Sequence, residues 1–116
     1  MDLIRKMLLQ IEASTEQVRF EKADEAYNAA LLKDAGLIVG SITPGGLGSI
    51  VRVEANRLTW EGHEFLDSAR NDTIWNKAKE RIIKPGVSWT FAILGEFLKA
   101  EAQRQLASVL GYPPTP

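Results

Sequence analysis

The sequence predicts a small α+β domain in which helices surround one β-hairpin and a long helix ends the chain. Three features predict it: an N-terminal apolar stripe, two β-branched runs around a glycine-rich reversal, and C-terminal apolar residues at helical spacing. The chain has 116 residues, 45% hydrophobic and 25% charged, which is the profile of one packed domain. We therefore expect a single core.

The N-terminal third is predicted to form two helices. Asp2 can cap the first, whose apolar residues share one buried stripe: Leu3, Ile4, Met7, Leu8 and Ile11. Residues 14–20 are predicted to connect it to a second helix over residues 23–35. The inward side of that second helix is predicted to carry Ala26, Tyr27, Ala30 and Leu31. Gly36 ends it, because glycine readily adopts the left-handed conformation that closes a helix.

A β-hairpin is predicted next. Residues 37–43 and 50–54 are rich in β-branched side chains, and the segment 44–48 between them holds one proline and three glycines. The second strand alternates, with Val51 and Val53 on one face and Ile50, Arg52 and Glu54 on the other.

Three helices are predicted to follow. Thr59 can cap one that turns Phe65, Leu66 and Ala69 inward, and either Asn71 or Asp72 can cap the next, ended by Pro85-Gly86. The apolar side of that second helix comprises Ile74, Trp75, Ala78 and Ile82. Ser88 can cap the last helix, which reaches about Leu110 before Gly111 and a proline-rich tail. We expect Trp60 and Trp75 to build the core.

Composition excludes several classes of protein. The chain has no cysteine, which rules out disulfides, zinc-thiolate sites and a thiol nucleophile. Its apolar runs are far shorter than the roughly 20 residues of a membrane span, and its N-terminus is unlike a signal peptide, so a cytoplasmic protein without membrane contact is expected. The net charge of -1 and a pI near 5.8 give no global attraction to nucleic acid.

Two resemblances follow from these motifs. A helix ending in LLKDAGLI, a glycine-rich hairpin and then RLTWEGHEFLD resemble the layout of winged-helix proteins. Together with MDLIRKMLLQIE and the extended block RLTWEGHEFLDSARNDTIWNKAK, these motifs are similar to domain-of-unknown-function family 2513, small proteins of bacteria and their phages, over roughly residues 1–84. That resemblance implies a fold and no activity. The chain departs from the usual winged-helix layout, because little room remains before Ala23 for a separate positioning helix.

The resulting organisation is a winged-helix-like domain over residues 1–86, a C-terminal helix over 87–111 that packs on the domain or mediates dimerisation, and a tail over 112–116. Winged-helix proteins most often bind double-stranded DNA, and this resemblance makes DNA binding or transcription regulation the leading hypothesis. The candidate contacts are Asn28, Arg52, Arg57, Arg70, Lys77, Lys79, Arg81 and Lys84. The second helix opposes it, since Glu21, Asp24, Glu25 and Asp34 outnumber Lys22 and Lys33 there.

Protein interaction without nucleic acid is the alternative, as an adaptor or inhibitor. The C-terminal helix carries an apolar stripe longer than one domain needs, which favours a protein partner or a homodimer. The candidate interface is Leu98, Ala102, Leu106, Val109 and Leu110.

Catalysis is the weakest hypothesis. The sequence has a single histidine, His63, and contains neither a nucleophile motif nor a phosphate-binding loop with its lysine. His63-Glu64 resembles a zinc-protease motif superficially, but the required second histidine position is Asp67. We therefore predict no cofactor, no metal and a structural role for His63.

Overall fold

A computed structural model of the chain describes residues 2–84, 86 and 88–110, and for residues 109 and 110 it describes the backbone alone. The described chain is α+β, with five α-helices and three β-strands. It divides into two compact units, residues 1–66 and 67–116. Among the described residues, no helix is both long and apolar enough to cross a bilayer. The domain boundary predicted at residue 86 stays a prediction.

The first two helices differ in how well their buried sides were predicted. α1 (Asp2–Ala13) buries four of the five residues of the expected stripe, since Ile4, Met7, Leu8 and Ile11 are at most 3% exposed, while Leu3 is half-buried. α2 (Ala23–Asp34) instead buries Ala26, Ala29, Ala30 and Leu32. Placing Tyr27 inward was wrong, because its side chain is 60% exposed. Alanines surround much of α2, so the spacing of its apolar residues did not define one inward side.

The C-terminal end of α2 closes as predicted. Gly36 has a φ of 77°, in the left-handed region. Its N–H donates to the Lys33 carbonyl and the Leu37 N–H donates to the Leu32 carbonyl, both at 3.0 Å. This pair of bonds is a Schellman motif, and the buried Leu37 completes it with an apolar contact site beyond the helix.

The sheet has one strand more than the predicted hairpin. β1 (Val18–Phe20), β2 (Ile38–Pro44) and β3 (Ile50–Leu58) are antiparallel and lie in the order β1-β3-β2. β1 lies in the segment predicted to be only a connection, because three residues are too few to show a reliable alternation. A short 3₁₀ turn, Gly46–Gly48, joins β2 to β3.

One face of the sheet is buried and the other is polar. Val53 is the centre of the buried face and is paired with Phe20 on one side and Ile42 on the other. Arg52 and Glu54 belong to the opposite face, as predicted. Val51 is 51% exposed, so it does not extend the buried row towards the turn. α1 and α2 pack on each other and on β3.

Three further helices follow, and two of their predicted caps are confirmed. α3 (Trp60–Ala69) is capped by the Thr59 hydroxyl, which accepts from the Gly62 N–H at 3.0 Å. α4 (Asp72–Arg81) is capped by the Asn71 side chain, which accepts from the Ile74 N–H at 3.1 Å. Phe65, Leu66, Ala69, Ile74, Trp75 and Ala78 are buried as expected.

The last helix starts later than predicted. α5 (Phe91–Leu110) is capped by Thr90, whose hydroxyl accepts from the Ile93 N–H at 3.1 Å, and not by Ser88. α4 ends before the expected Pro85-Gly86, with Ile82 as its C-cap. Pro85, the predicted stop at Gly111 and the tail 112–116 lie outside the described residues.

Candidate partner and nucleic-acid surfaces

The outward face of α2 is acidic and carries one exposed aromatic ring. Asp24, Tyr27, Leu31 and Asp34 occupy the i, i+3, i+7 and i+10 positions of one helix side. Leu31 is half-buried and the other three are exposed. Asn28, the predicted base-reading residue, is half-buried, and its amide Nδ2 donates to the Asp24 carbonyl at 2.8 Å. The side of α2 that a groove would meet therefore presents carboxylates.

Asp34 is at an electrostatically unfavourable position. It is the last residue of α2, where the helix macrodipole places partial negative charge and favours a cation. Among the described residues it has no ion-pair partner. Asp24, by contrast, lies in the first turn, where a carboxylate stabilises the helix. The helix dipole therefore favours a carboxylate at position 24 and disfavours one at position 34.

Trp60 lies directly beside the end of α2. The preceding residue, Thr59, donates its hydroxyl to the Gly36 carbonyl at 2.6 Å and its N–H to the Leu37 carbonyl at 3.0 Å. The Trp60 side chain is nevertheless 75% exposed, so the expectation that it builds the core was wrong. The first turn of α3 is thus fixed to the α2–β2 connection while its first side chain faces solvent.

Gly62 makes this close approach possible. A Cβ placed on it would lie 1.9 Å from the Leu37 carbonyl oxygen and 3.3 Å from the Leu58 side chain. Only glycine leaves room for the backbone of α3 to reach that carbonyl. We call the segment 34–37 together with residues 59–62 the α2–α3 corner. In the sequence, the glycine of WEGHEFL is the feature that could have indicated this close approach.

The predicted cations of the hairpin are engaged within the chain. Arg52 Nε lies 3.0 Å from Glu54 Oε1, on the polar face of the sheet. Arg57 is exposed, and its guanidinium donates to the Leu58 carbonyl at 3.1 Å. The turn between the strands holds no charged residue and displays a fully exposed Leu47, which adopts a φ of 57°.

In residues 67–116, the cations divide into paired and exposed groups. Arg70 pairs with Asp67 at 2.9 Å and Lys77 pairs with Glu101 at 3.4 Å. Lys79 is half-buried. Arg81 and Lys84 are exposed, and the described part of the chain offers neither of them an ion-pair partner. These two are the members of the predicted DNA-contact set that remain best placed to meet phosphate.

The stripe of α5 is interrupted by a carboxylate. Leu94 and Leu98 are fully buried, so Leu98 is not available as the interface residue it was predicted to be. Glu101 follows at 5% exposure, held by Lys77 from α4 and by Arg104 at 2.9 Å. Among the remaining predicted interface residues, Ala102 is half-buried and Leu106 is 58% exposed. The side chains of Val109 and Leu110 lie outside the described part.

His63 belongs to none of these surfaces. Its side chain is half exposed, with Nδ1 4.0 Å from Glu12 Oε2 on α1. Among the residues that the structure describes, no three His, Asp or Glu side chains form a group that could hold a metal ion.

Comparisons with known proteins give a family. A family model described as Hypothetical protein (DUF2513) matches residues 1–88. A Haemophilus influenzae protein described as an uncharacterized protein is 39% identical over 90 residues, which cover 70% of this chain and 75% of that protein. No solved structure matches the chain.

Proposed function

The chain belongs to the DUF2513 family of hypothetical proteins, and we propose that within it this protein is a small non-catalytic accessory protein that binds another protein. The exposure of Trp60 carries the proposal. A tryptophan with three quarters of its surface in water is a typical binding residue, because its large ring gains most from desolvation. Action in the cytoplasm is part of the same proposal.

Charge supports a protein partner over nucleic acid. Residues 1–66 hold seven Lys or Arg and ten Asp or Glu, a net charge of -3. Phosphate would be repelled by such a surface, and the Asn28 amide that could read a base is bonded to its own helix. A protein surface can instead supply cations and apolar side chains together.

The winged-helix-like architecture is part of this proposal. A helix followed directly by a β-hairpin, with a short third strand completing the sheet, supports it. One helix, α2, lies between β1 and β2, in the place where a full helix-turn-helix would hold two. The lost helix removes a positioning element for groove binding and is compatible with a protein-binding variant of the fold.

DNA binding is the second candidate, and the exposure of Arg81 and Lys84 favours it. Residues 67–116 hold seven Lys or Arg and five Asp or Glu, a net charge of +2. A protein using these residues would make backbone contacts to DNA with little base specificity.

One titration separates the two candidates. Random-sequence duplex DNA is added to the purified protein at low and moderate salt, with the solution mass measured on the same sample. We expect no measurable affinity even at low salt. Affinity that falls steeply with salt and is lost in an Arg81→Ala, Lys84→Ala double variant would overturn the protein-binding proposal in favour of DNA. The matched control is Lys6→Ala, an exposed cation on α1.

The solution mass also tests dimerisation through α5. A dimer that Leu106→Asp converts to a monomer would make a second copy of this chain the bound protein. A monomeric mass would mean that the proposed partner is a different protein.

A further inference from the structure

We propose that the α2–α3 corner, together with Tyr27, binds a basic segment of the partner protein, with an arginine or lysine of that segment held between the Asp34 carboxylate and the Trp60 ring. The inference rests on the proposed function and names its surface and the chemistry of its partner. It uses three observations: the exposed Trp60, the exposed Tyr27, and an Asp34 carboxylate that has no ion-pair partner among the described residues.

The backbone of the corner brings an acidic residue and an aromatic residue close together. Asp34 is two residues before Gly36, and Trp60 is one residue after Thr59, so both flank the 2.6 Å hydrogen bond between Thr59 and Gly36. A guanidinium or ammonium group can contact a carboxylate and stack on an indole at the same time. The Schellman bonds and the close approach at Gly62 fix the backbone from which both side chains extend, which lowers the cost of ordering them on binding.

Tyr27 extends the surface along α2. It lies about 10 Å from Asp34 along the helix axis, with the half-buried Leu31 between them. Asp24 continues the acidic charge to the start of the helix. Carboxylates and exposed aromatic rings therefore alternate along this surface. A partner segment in extended conformation that alternates cations with apolar side chains would be complementary to it.

Charge complementarity selects the occupant. Glu61 and Glu64 on the first turns of α3 are exposed and add negative charge beside the corner. Of the two cations nearest in sequence, Lys33 is half-buried, and the exposed Arg57 donates its guanidinium to the Leu58 carbonyl. An acidic or phosphorylated partner would be repelled, and a purely apolar partner would leave the Asp34 carboxylate without a counter-charge. A basic segment gains from both features of the surface.

The position of Asp34 gives the proposal an unusual signature. Replacing it by asparagine removes a charge that the helix macrodipole opposes, so the isolated protein should unfold at an equal or higher temperature. The same replacement should weaken binding of a cation. A residue whose removal improves stability and impairs binding is retained for its contact with a partner.

The test uses the full chain and two synthetic peptides. One peptide consists of Arg-Ser-Leu repeats and the other of Glu-Ser-Leu repeats of equal length, each labelled for fluorescence anisotropy. We expect the arginine peptide to bind and the glutamate peptide not to bind. Affinity should fall with added salt, and Trp60→Ala and Asp34→Asn should each weaken it about tenfold.

Matched controls and mapping complete the test. Leu106→Ala removes an exposed apolar side chain elsewhere and Glu80→Gln an exposed carboxylate elsewhere, and neither should change the affinity by more than about twofold. In ¹⁵N-labelled protein, the peptide should shift the amides of Tyr27, Asp34, Gly36 and Trp60.

The inference is overturned if the arginine peptide does not bind, or if Trp60→Ala and Asp34→Asn affect it no more than the two controls do. Amide shifts confined to α5 would overturn it too, while leaving the broader proposal of protein binding intact. Duplex DNA that displaces the peptide with steep salt dependence would overturn both.

Discussion

Trp60 and Trp75 lie in the first turns of successive helices and have opposite environments: Trp60 is 75% exposed and Trp75 is fully buried. Each helix is capped by a side chain, Thr59 for α3 and Asn71 for α4. Trp60 is the first residue after its cap, whereas Trp75 is the fourth. The position of each tryptophan relative to its helix cap therefore indicates which way its ring points. The hydrophobicity of the residue type does not distinguish the two.

The surroundings of the two rings differ in what holds them. The α2–α3 corner is defined by backbone groups, through the carbonyls of Gly36 and Leu37 and the missing side chain of Gly62. The α4–α5 pair depends on side chains, through the buried Trp75, Leu94 and a carboxylate between two cations. Because backbone contacts hold the α2–α3 corner, its side chains remain available for binding. The side chains between α4 and α5 are occupied in holding those two helices together.

The largest expected effect tests this contrast directly. Trp75→Ala should lower the free energy of unfolding by about 3–5 kcal/mol, because it removes a large buried ring and leaves a cavity. Trp60→Ala should change it by less than about 0.5 kcal/mol, since its ring is mostly in water. Urea unfolding followed by circular dichroism measures both, and equal losses for the two variants would break the comparison.

Gly62→Ala should have the next largest effect. The added methyl would meet the Leu37 carbonyl, so α3 must shift away, at a cost of about 2–3 kcal/mol. Gly46→Ala is the control, because the turn around it is open and nothing lies within 4 Å of the added atom. Thermal unfolding compares them, and a Gly62→Ala protein as stable as Gly46→Ala would show that the corner is not rigid.

Removing the cations around Glu101 should have a smaller effect. Lys77→Met with Arg104→Met leaves a carboxylate buried without a counter-charge, which we expect to cost about 1–2 kcal/mol. Arg70→Met is the matched control: its partner Asp67 is 70% exposed, so its loss should cost less than about 0.5 kcal/mol. Chemical denaturation measures both, and a double variant no less stable than the control would exclude Glu101 as a structural link between α4 and α5.

The cap of α5 should give the smallest effect. Thr90→Ala should cost about 1 kcal/mol, because the Ile93 N–H loses its acceptor. Ser88→Ala should leave thermal stability unchanged. A larger loss of stability for Ser88→Ala than for Thr90→Ala would show that α5 begins after Ser88, as the sequence predicted.

The sequence predicted the fold best where one residue type has one physical role. Gly36 was placed correctly as a helix stop and Thr59 as a cap, and Asn71 was one of the two caps predicted for α4, because this chemistry is local. Ser88 and Thr90 are equivalent as caps by residue type, so local chemistry could not choose between them. β1 escaped prediction because its pairing with β3 spans more than thirty residues of sequence.

The candidate surface was predicted less well than the fold. Trp60 was assigned to the core because tryptophans at helical spacing among apolar residues usually lie there, and Tyr27 was placed on the apolar side of α2. Gly62, two residues after Trp60, lies close to the Leu37 carbonyl, so the surroundings of the first turn of α3 depend on a contact with another part of the chain. The cations of the predicted DNA-contact set were chosen by charge, which does not reveal that Arg52, Arg70 and Lys77 have carboxylate partners.

The two borders of the sheet restrict how a partner can attach. β1 offers only three residues, and β2 is interrupted by register shifts at Val39/Gly40 and Thr43/Pro44, with a proline that has no N–H to give. An incoming extended chain would find no continuous row of amides and carbonyls on either border. The borders of the sheet thus disfavour recognition by strand addition and self-association through open strands, so the protein binding proposed above would depend on side chains.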